Sequence, residues 1–461
     1  MVKPSIKKDS EPNGSLLSEI QGIVSSGYRK FPAMSCLMIH IEDAAKAIQS
    51  LKQIQDQISF NDASCKAKDC RLNIAFTWRG LNKLNSEIAN DQAELFKREF
   101  REGMVTPYRQ RVLGDLDGCP SAPSSWFWGQ PEKQEIHLAL LVYELNEAQR
   151  EARIRALLET PGIELVDRGR IDSVSLNNDK EHFGFRDGIS QPWLRGLNKQ
   201  GPRSDEVAWG EILLGHCDNS GAIERYPKIA LNGSYLVVRQ IEQDVQEFWK
   251  SFGDISSEQI RLASKQMGRW PDGTPLTLKP DGPENKPYND FDYRHDQQGI
   301  NCPAGSHIRR CNPRTGAKRD RGNKDRHRIL RRGRVYGPPA PAEYFPDGLC
   351  ADVSVENGSA KNGAAKSEAR GLLFMCLNAS FERQFEFMQQ NWIHSSMISS
   401  LSDELDPIAS QLDFELFTIP TNPIRKRCPR PTAHVKTVGG GYFFLPSRSA
   451  INKILECRSL S

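Results

Sequence analysis

Four stretches of this sequence repeat one local grammar, a β-rich apolar run followed at once by a helix-length amphipathic run. They are Cys36 to Ile58 (CLMIHIEDAAKAIQSLKQIQDQI), Ile136 to Leu158 (IHLALLVYELNEAQREARIRALL), Ser234 to Phe252 (SYLVVRQIEQDVQEFWKSF) and Gly371 to Trp392 (GLLFMCLNASFERQFEFMQQNW). They fall in two pairs. Between the members of the first pair lies another short strand candidate, Leu72 to Leu81, and a strand-like segment from Ile163 to Val166 follows the second helix. The resulting β-α-β-β-α-β order is the split ferredoxin-like unit, and the second pair permits the same order with longer insertions. The fold class expected is therefore α+β. Two ferredoxin-like units would pack their antiparallel sheets together, each covered by peripheral helices, as in a dimeric α+β barrel.

A polar, turn-rich stretch from Gly201 to Glu206 separates the pairs, which predicts an N-terminal unit over 28–200 and a C-terminal unit over 201–461. Residues 1–27, opening MVKPSIKKDSEPNGS, read as a disordered tail, with no apolar core where a secretory leader would carry one. Polar insertions at 268–298 and 338–366 read as extended surface loops. With 461 residues, 38% hydrophobic and 26% charged, the chain can bury a large core and is neither collagen-like nor disordered. Its longest apolar runs, such as Leu138 to Tyr143, fall far short of the roughly 20 residues of a membrane-spanning helix. No membrane partner and a cytoplasmic location are the expectations. Eleven cysteines without a CxxC pair read as single thiols, not a disulfide framework.

Net charge is only +4, but its distribution is uneven. From Arg309 to Arg334 there are twelve Lys or Arg against Asp320 and Asp325, so an anionic partner is expected. Nucleic acid is one reading, because cations neutralise phosphates. A solvated loop is the other, and the lack of interleaved aromatics, with only Tyr336 at the edge, removes a base-stacking platform. His307 sits between Cys302 and Cys311, yet these gaps are wider than the tight pairs of structural zinc sites. In FGFRDGISQP, Phe183 to Pro192, apolar residues press around Asp187. A turn aspartate explains an isolated Asp-Gly, but this setting suits a partly desolvated carboxylate with a shifted pKa.

FGFRDGISQP, GSHIRRCNPR, ILRRGRVYG and FMCLNASFERQFEFMQQNW together resemble the dye-decolorizing (DyP-type) haem peroxidases, in their larger, more elaborated branch. AFTWRGL, FKREFREGM, GEILLG, SYLVVRQ and MGRWPDGTPL extend the resemblance in the same order, from about residue 28 onward. It implies two ferredoxin-like units with haem b, one iron per chain, held in the C-terminal one. His307 would be the proximal iron ligand, Asp187 the distal acid/base and Arg331 the distal charge stabiliser, with Gly188 and Arg309 also at the cofactor. The acidic partner of His307 is left between Glu386 and Glu382. Tyr336 is the candidate for oxidising bulky substrates outside the pocket.

The activity implied is reduction of hydrogen peroxide with oxidation of dyes and phenolic or other organic reductants, greatest in acid because Asp187 beside a cation stays ionised. Two other readings stand beside it. A haem carrier or iron-releasing protein needs only His307 and apolar walls, and a basic nucleic-acid-binding protein would bind no cofactor.

Overall fold

The computed structural model describes residues 14–61, 69–130, 132–176, 179–314, 325–349, 369–397, 401–412, 414–429 and 433–456. In the N-terminal half, strand β1 (Ala33–Ile41) leads into helix α1 (Ala44–Ile54), whose start is fixed by Asp43 accepting from the N–H groups of Ala45 and Lys46. Strands β2 (Cys70–Phe76) and β3 (Leu138–Glu144), helix α2 (Glu147–Leu158) and strand β4 (Ile163–Asp172) complete the unit. Its strand order, β4-β1-β3-β2, is that of a ferredoxin-like sheet.

The C-terminal half repeats the plan with β5 (Ser234–Gln243), helices α3 (Val245–Lys250) and α4 (Ser256–Met267), and the short helix α5 (His307–Cys311). The strand pieces β6 (Leu330–Arg331) and β7 (Arg334–Tyr336), then β8 (Gly371–Asn378), β9 (Val435–Leu445) and helix α6 (Arg448–Leu455) follow. The order β9-β5-β8-β6, with β7 also on β8, matches the first half position for position. Every neighbouring pair in this sheet is antiparallel. After β8 the chain winds more widely than an α-helix over Phe381–Glu386 and Met388–Ile393.

Alternation along the strands sorts the core into two layers. Leu37 and Ile39 of β1 join Tyr235, Val237, Phe381 and Phe444 on the helix-covered side. Cys36 and Met38 join Leu236, Val238, Met375 and Phe443 on the other, so the opposite faces of both halves share one apolar layer. Each such side chain taken fully out of water contributes about 1.5–3 kcal/mol. At Gly439 of β9 a Cβ would lie 2.4 Å from the Trp128 indole, so only glycine lets that ring lie against the strand.

Where the two halves of the sheet meet, Phe76 of β2 lies opposite Phe444 of β9. Beyond that pair the backbone needs other partners, and Gln21 supplies them. Its Nε2 donates to the carbonyls of Ile74 and Pro446, both at 2.9 Å, while its Oε1 accepts from the Ile74 N–H at 3.1 Å. This corrects the expected tail. Residues 14–27 belong to the fold, with a short helix (Gly14–Glu19) and with Ile20, Ile23 and Val24 at most 1% exposed; residues 1–13 lie outside the described residues. The insertion at 268–298 is likewise more than surface loop, because Trp270, Leu276 and Tyr293 close over Cys302 as a small core of their own.

Candidate active site

His307 opens α5, and its Nδ1 lies 2.9 Å from Oδ2 of Asp406. Asp406 is fully buried, and its other oxygen accepts from the N–H groups of Ile408 at 2.9 Å and Ala409 at 2.8 Å. Burial acts to raise this carboxyl, but His307, Arg310 and the N–H groups outweigh it and bring it down to about 2. Burial likewise acts to lower the imidazole, and Asp406 overrides it, so His307 is held well above its ordinary value. Arg310 locks the arrangement. Its guanidinium donates to Gly305 O, Trp392 O, Ser395 O and Glu404 O, tying α5 to the segment that delivers Asp406.

Asp406 stands where sequence reasoning expected Glu386 or Glu382. Glu386 is bound instead to Arg109 at 3.2 Å and to the Tyr442 hydroxyl at 2.8 Å, and Glu382 is exposed to solvent. Among the described residues, Nε2 of His307 has no hydrogen-bond partner. Cys311, one helical turn on, brings its Sγ to 3.7 Å from Nδ1.

Asp187 is held by a loop that folds for reasons visible in its own residues. The Glu181 carboxylate accepts from the N–H groups of Phe183 and Phe185, both at 3.0 Å. Phe183 stacks on Phe248 of α3 with centroids 4.1 Å apart, and Phe185 stacks on Trp249. Gly188 then turns the chain at φ +74°, a conformation that favours glycine, and a Cβ there would meet open space. From β6, Arg331 brings Nη1 to 3.0 Å from Oδ1 of Asp187 and Nη2 to 3.3 Å from Ser190 O. Burial would raise the Asp187 carboxyl, but Arg331, the Gly188 N–H and the more distant His307 charge keep it below the usual carboxylate range.

These groups lie deep in the fold and yet remain partly open. Asp187, Arg331 and His307 keep 42%, 32% and 26% of their side-chain surface free, against 0% for Asp406. The charge of His307 acts on the Asp187 carboxyl, so the three side chains stand in one region of the fold. Two open clefts lie elsewhere. One of about 560 Å³ is floored by Gln243, Arg370 and His434, the other of about 600 Å³ by Tyr28, Phe31 and Arg71, and neither is lined by Asp187, Arg331 or His307.

The other candidates are placed differently. Arg309 is committed to Cys302 O at 2.6 Å and lies over the Tyr293 ring at 4.4 Å. Its guanidinium is thus held by partners within the protein. Tyr336 is 6% exposed, inside the apolar layer with Leu330 and Leu373, so a bulky substrate cannot touch it. Apart from the exposed Arg326, the described part of the basic run is not a surface field. Arg314 donates to Asn289 O and Phe291 O, Arg332 to Ile23 O and Val24 O, and Arg334 to Gly27 O and Tyr28 O. Arg328 pairs with Asp205 at 2.9 Å. Lys318, Arg319, Arg321 and Lys324 lie outside the described residues. No helix among the described residues is long and apolar enough to cross a membrane.

No family model matches the chain. It is 28% identical over 418 residues to Peroxidase 2 of Mycetinis scorodonius, covering 84% of this chain and 76% of that protein. It is 30% identical over 336 residues to the multifunctional dye peroxidase DyP2 of an Amycolatopsis species, covering 67% and 66%. It is also 30% identical to the dye-decolorizing peroxidase msp1 of Mycetinis scorodonius, of which it spans 57%. Among solved structures, an ancestral D-type dye decolorizing peroxidase superposes with TM-score 0.77 at 26% identity, over 96% of this chain and 99% of that one. A dye-decolorizing peroxidase in complex with 2,6-dimethoxyphenol gives TM-score 0.77 at 25% identity, over 95% and 99%.

Proposed function

The chain belongs to the dye-decolorizing peroxidases, and from that premise we propose that it is a haem b peroxidase with one iron per chain, which reduces hydrogen peroxide at the expense of dyes and phenolic reductants. The observation that carries this reading is the Asp187–Arg331 pair at 3.0 Å with the His307 charge acting on it, all three side chains being partly open. The donor set fits haem. An imidazole nitrogen without a protein partner is the ligand haem iron takes once its proton has left, and a carboxylate on the opposite nitrogen keeps the remaining proton on Nδ1. His307 would hold the iron, and Gly188 would let the backbone approach the cofactor without a side chain in the way.

Bound haem supplies an iron centre that takes up peroxide and accepts the two oxidising equivalents it carries. The chain's own part is to move a proton and to place a charge. The Asp187 carboxylate takes a proton from the inner oxygen of peroxide and returns it to the outer oxygen, which leaves as water. For this it must be ionised when peroxide arrives, and the Arg331 guanidinium keeps it so despite burial. Arg331 cannot itself titrate under working conditions. It offsets the negative charge that grows as the oxygen–oxygen bond breaks. Asp406 holds the His307 ring in place and, by drawing on Nδ1–H, makes Nε2 a more basic ligand.

Because the Tyr336 ring is enclosed, reductants are expected to meet the protein at other groups. The relative crystallised with 2,6-dimethoxyphenol supports a phenolic reductant for this chain as well. Haem reconstitution followed by one equivalent of peroxide tests the assignment. Expected is a ferric spectrum that shifts rapidly to an oxidised form, is lost in His307→Ala, and shifts at least a hundredfold more slowly in Asp187→Asn. Haem uptake with no spectral response to peroxide would overturn the peroxidase reading in favour of a carrier.

A further inference from the structure

We propose that Cys311 is a second hydrogen-bonding neighbour of the His307 imidazole, positioned to take part of the Nδ1–H interaction from Asp406 and so to moderate the electron density that His307 offers at Nε2. The inference rests on the haem reading above. On α5, residues 307 and 311 are one turn apart and share a face, which brings Sγ of Cys311 to 3.7 Å from Nδ1 of His307. Oδ2 of Asp406 is 2.9 Å from the same nitrogen, and the three heavy atoms all lie within 4.8 Å of one another.

Asp406 has no freedom to yield. Its second oxygen is pinned by the N–H groups of Ile408 and Ala409, and its backbone N–H by Ile393 O. Nδ1 carries a single hydrogen, so any share taken by sulfur comes from the bond to Asp406. If sulfur accepts, it takes that share directly. The contact of sulfur with Nδ1 therefore weakens the pull of Asp406. A thiol is a weak donor and a weak acceptor, which suits it to moderating the pair without breaking it.

Cys311 is thus a positioning residue, and its test reads the iron–imidazole bond and not turnover. In the haem-loaded full chain, Cys311→Ala is expected to lower the ferric/ferrous midpoint potential and to raise the frequency of the ferrous iron–histidine vibration, with Cys311→Ser between it and the wild type. In the haem-free full chain the His307 Nδ1–H proton resonance, identified by its loss in His307→Ala, is expected to move downfield in Cys311→Ala. A role in packing alone would change thermal stability and leave the vibration and the resonance where they were, which overturns the proposal. So would a shift of either in the opposite direction. Should the chain take up no haem, the haem reading fails, while the proton resonance still decides the role of Cys311.

Discussion

Nδ2 of Asn312 donates to Oγ of Ser190 at 3.2 Å, which ties the loop of Asp187 to the residue that closes the helix of His307. Asn312 is held in turn by Arg328, at 3.3 Å from its Oδ1, and Arg328 by Asp205. The loop of Asp187 and the helix of His307 are therefore joined by side chains that need no cofactor. Removing one partly buried neutral hydrogen bond costs about 0.5–1.5 kcal/mol. If that loss falls on the placement of Asp187, Ser190→Ala should lower kcat roughly two- to tenfold. Steady-state kinetics at saturating peroxide measures this, and the haem spectrum of the variant should match the wild type.

The pH dependence follows from the pair at 3.0 Å between Arg331 and Asp187. Burial raises this carboxyl, and Arg331 together with the Gly188 N–H and the His307 charge more than cancels the effect, leaving it below its ordinary value. A depressed carboxyl stays ionised as pH falls, so the wild type should keep its base into acid and lose it only as pH drops through the lowered value. In Arg331→Leu the burial remains and the cation is gone. The acid limb of activity should then move upward by about 1–3 pH units, the usual worth of an opposite charge at this range. A rate profile in pH whose acid limb did not move would show that Asp187 is not the titrating base.

The partner of His307 makes a second discriminating case. In Asp406→Asn a neutral amide replaces the carboxylate, and the imidazole becomes a poorer donor. The ferric/ferrous midpoint should rise, on the order of the 59 mV that a tenfold change represents for one electron. Glu382→Gln should leave the midpoint unmoved, since that side chain is exposed to solvent. Glu386→Gln should act on stability instead, because it leaves the buried guanidinium of Arg109 with a weaker partner.

How far the sequence discloses this site depends on how local each signal is. Asp187, His307 and Arg331 each lie in a short motif, and four strand-helix runs carry the ferredoxin-like pattern along the chain itself. Asp406 could not be chosen in that way. It lies 99 residues from His307 in an irregular stretch that also holds Asp403 and Glu404, and nothing periodic distinguishes one acid from its neighbours. The arginine run misleads for a related reason. Charge counted along a chain says nothing of whether a guanidinium faces water or a carbonyl, and Arg310, Arg314, Arg332 and Arg334 face carbonyls. An aromatic in sequence proximity to Arg331 is likewise no guide to exposure, because β7 turns Tyr336 into the apolar layer.

The segment before β1 carries the last test. Ile23 is 0% exposed, and the carbonyls of Ile23 and Val24 receive the guanidinium of Arg332 at 2.6 and 2.7 Å. Arg332 directly follows Arg331, so this segment braces the strand that carries Arg331. A disordered tail would tolerate truncation at position 23 without cost. A packed one would not, and Ile23→Ala should destabilise the haem-free chain by about 2–4 kcal/mol through the lost transfer free energy and the cavity left behind. Denaturant unfolding followed by tryptophan fluorescence gives the value. A change under about 0.5 kcal/mol, the range of surface substitutions, would return residues 14–27 to the status of a tail.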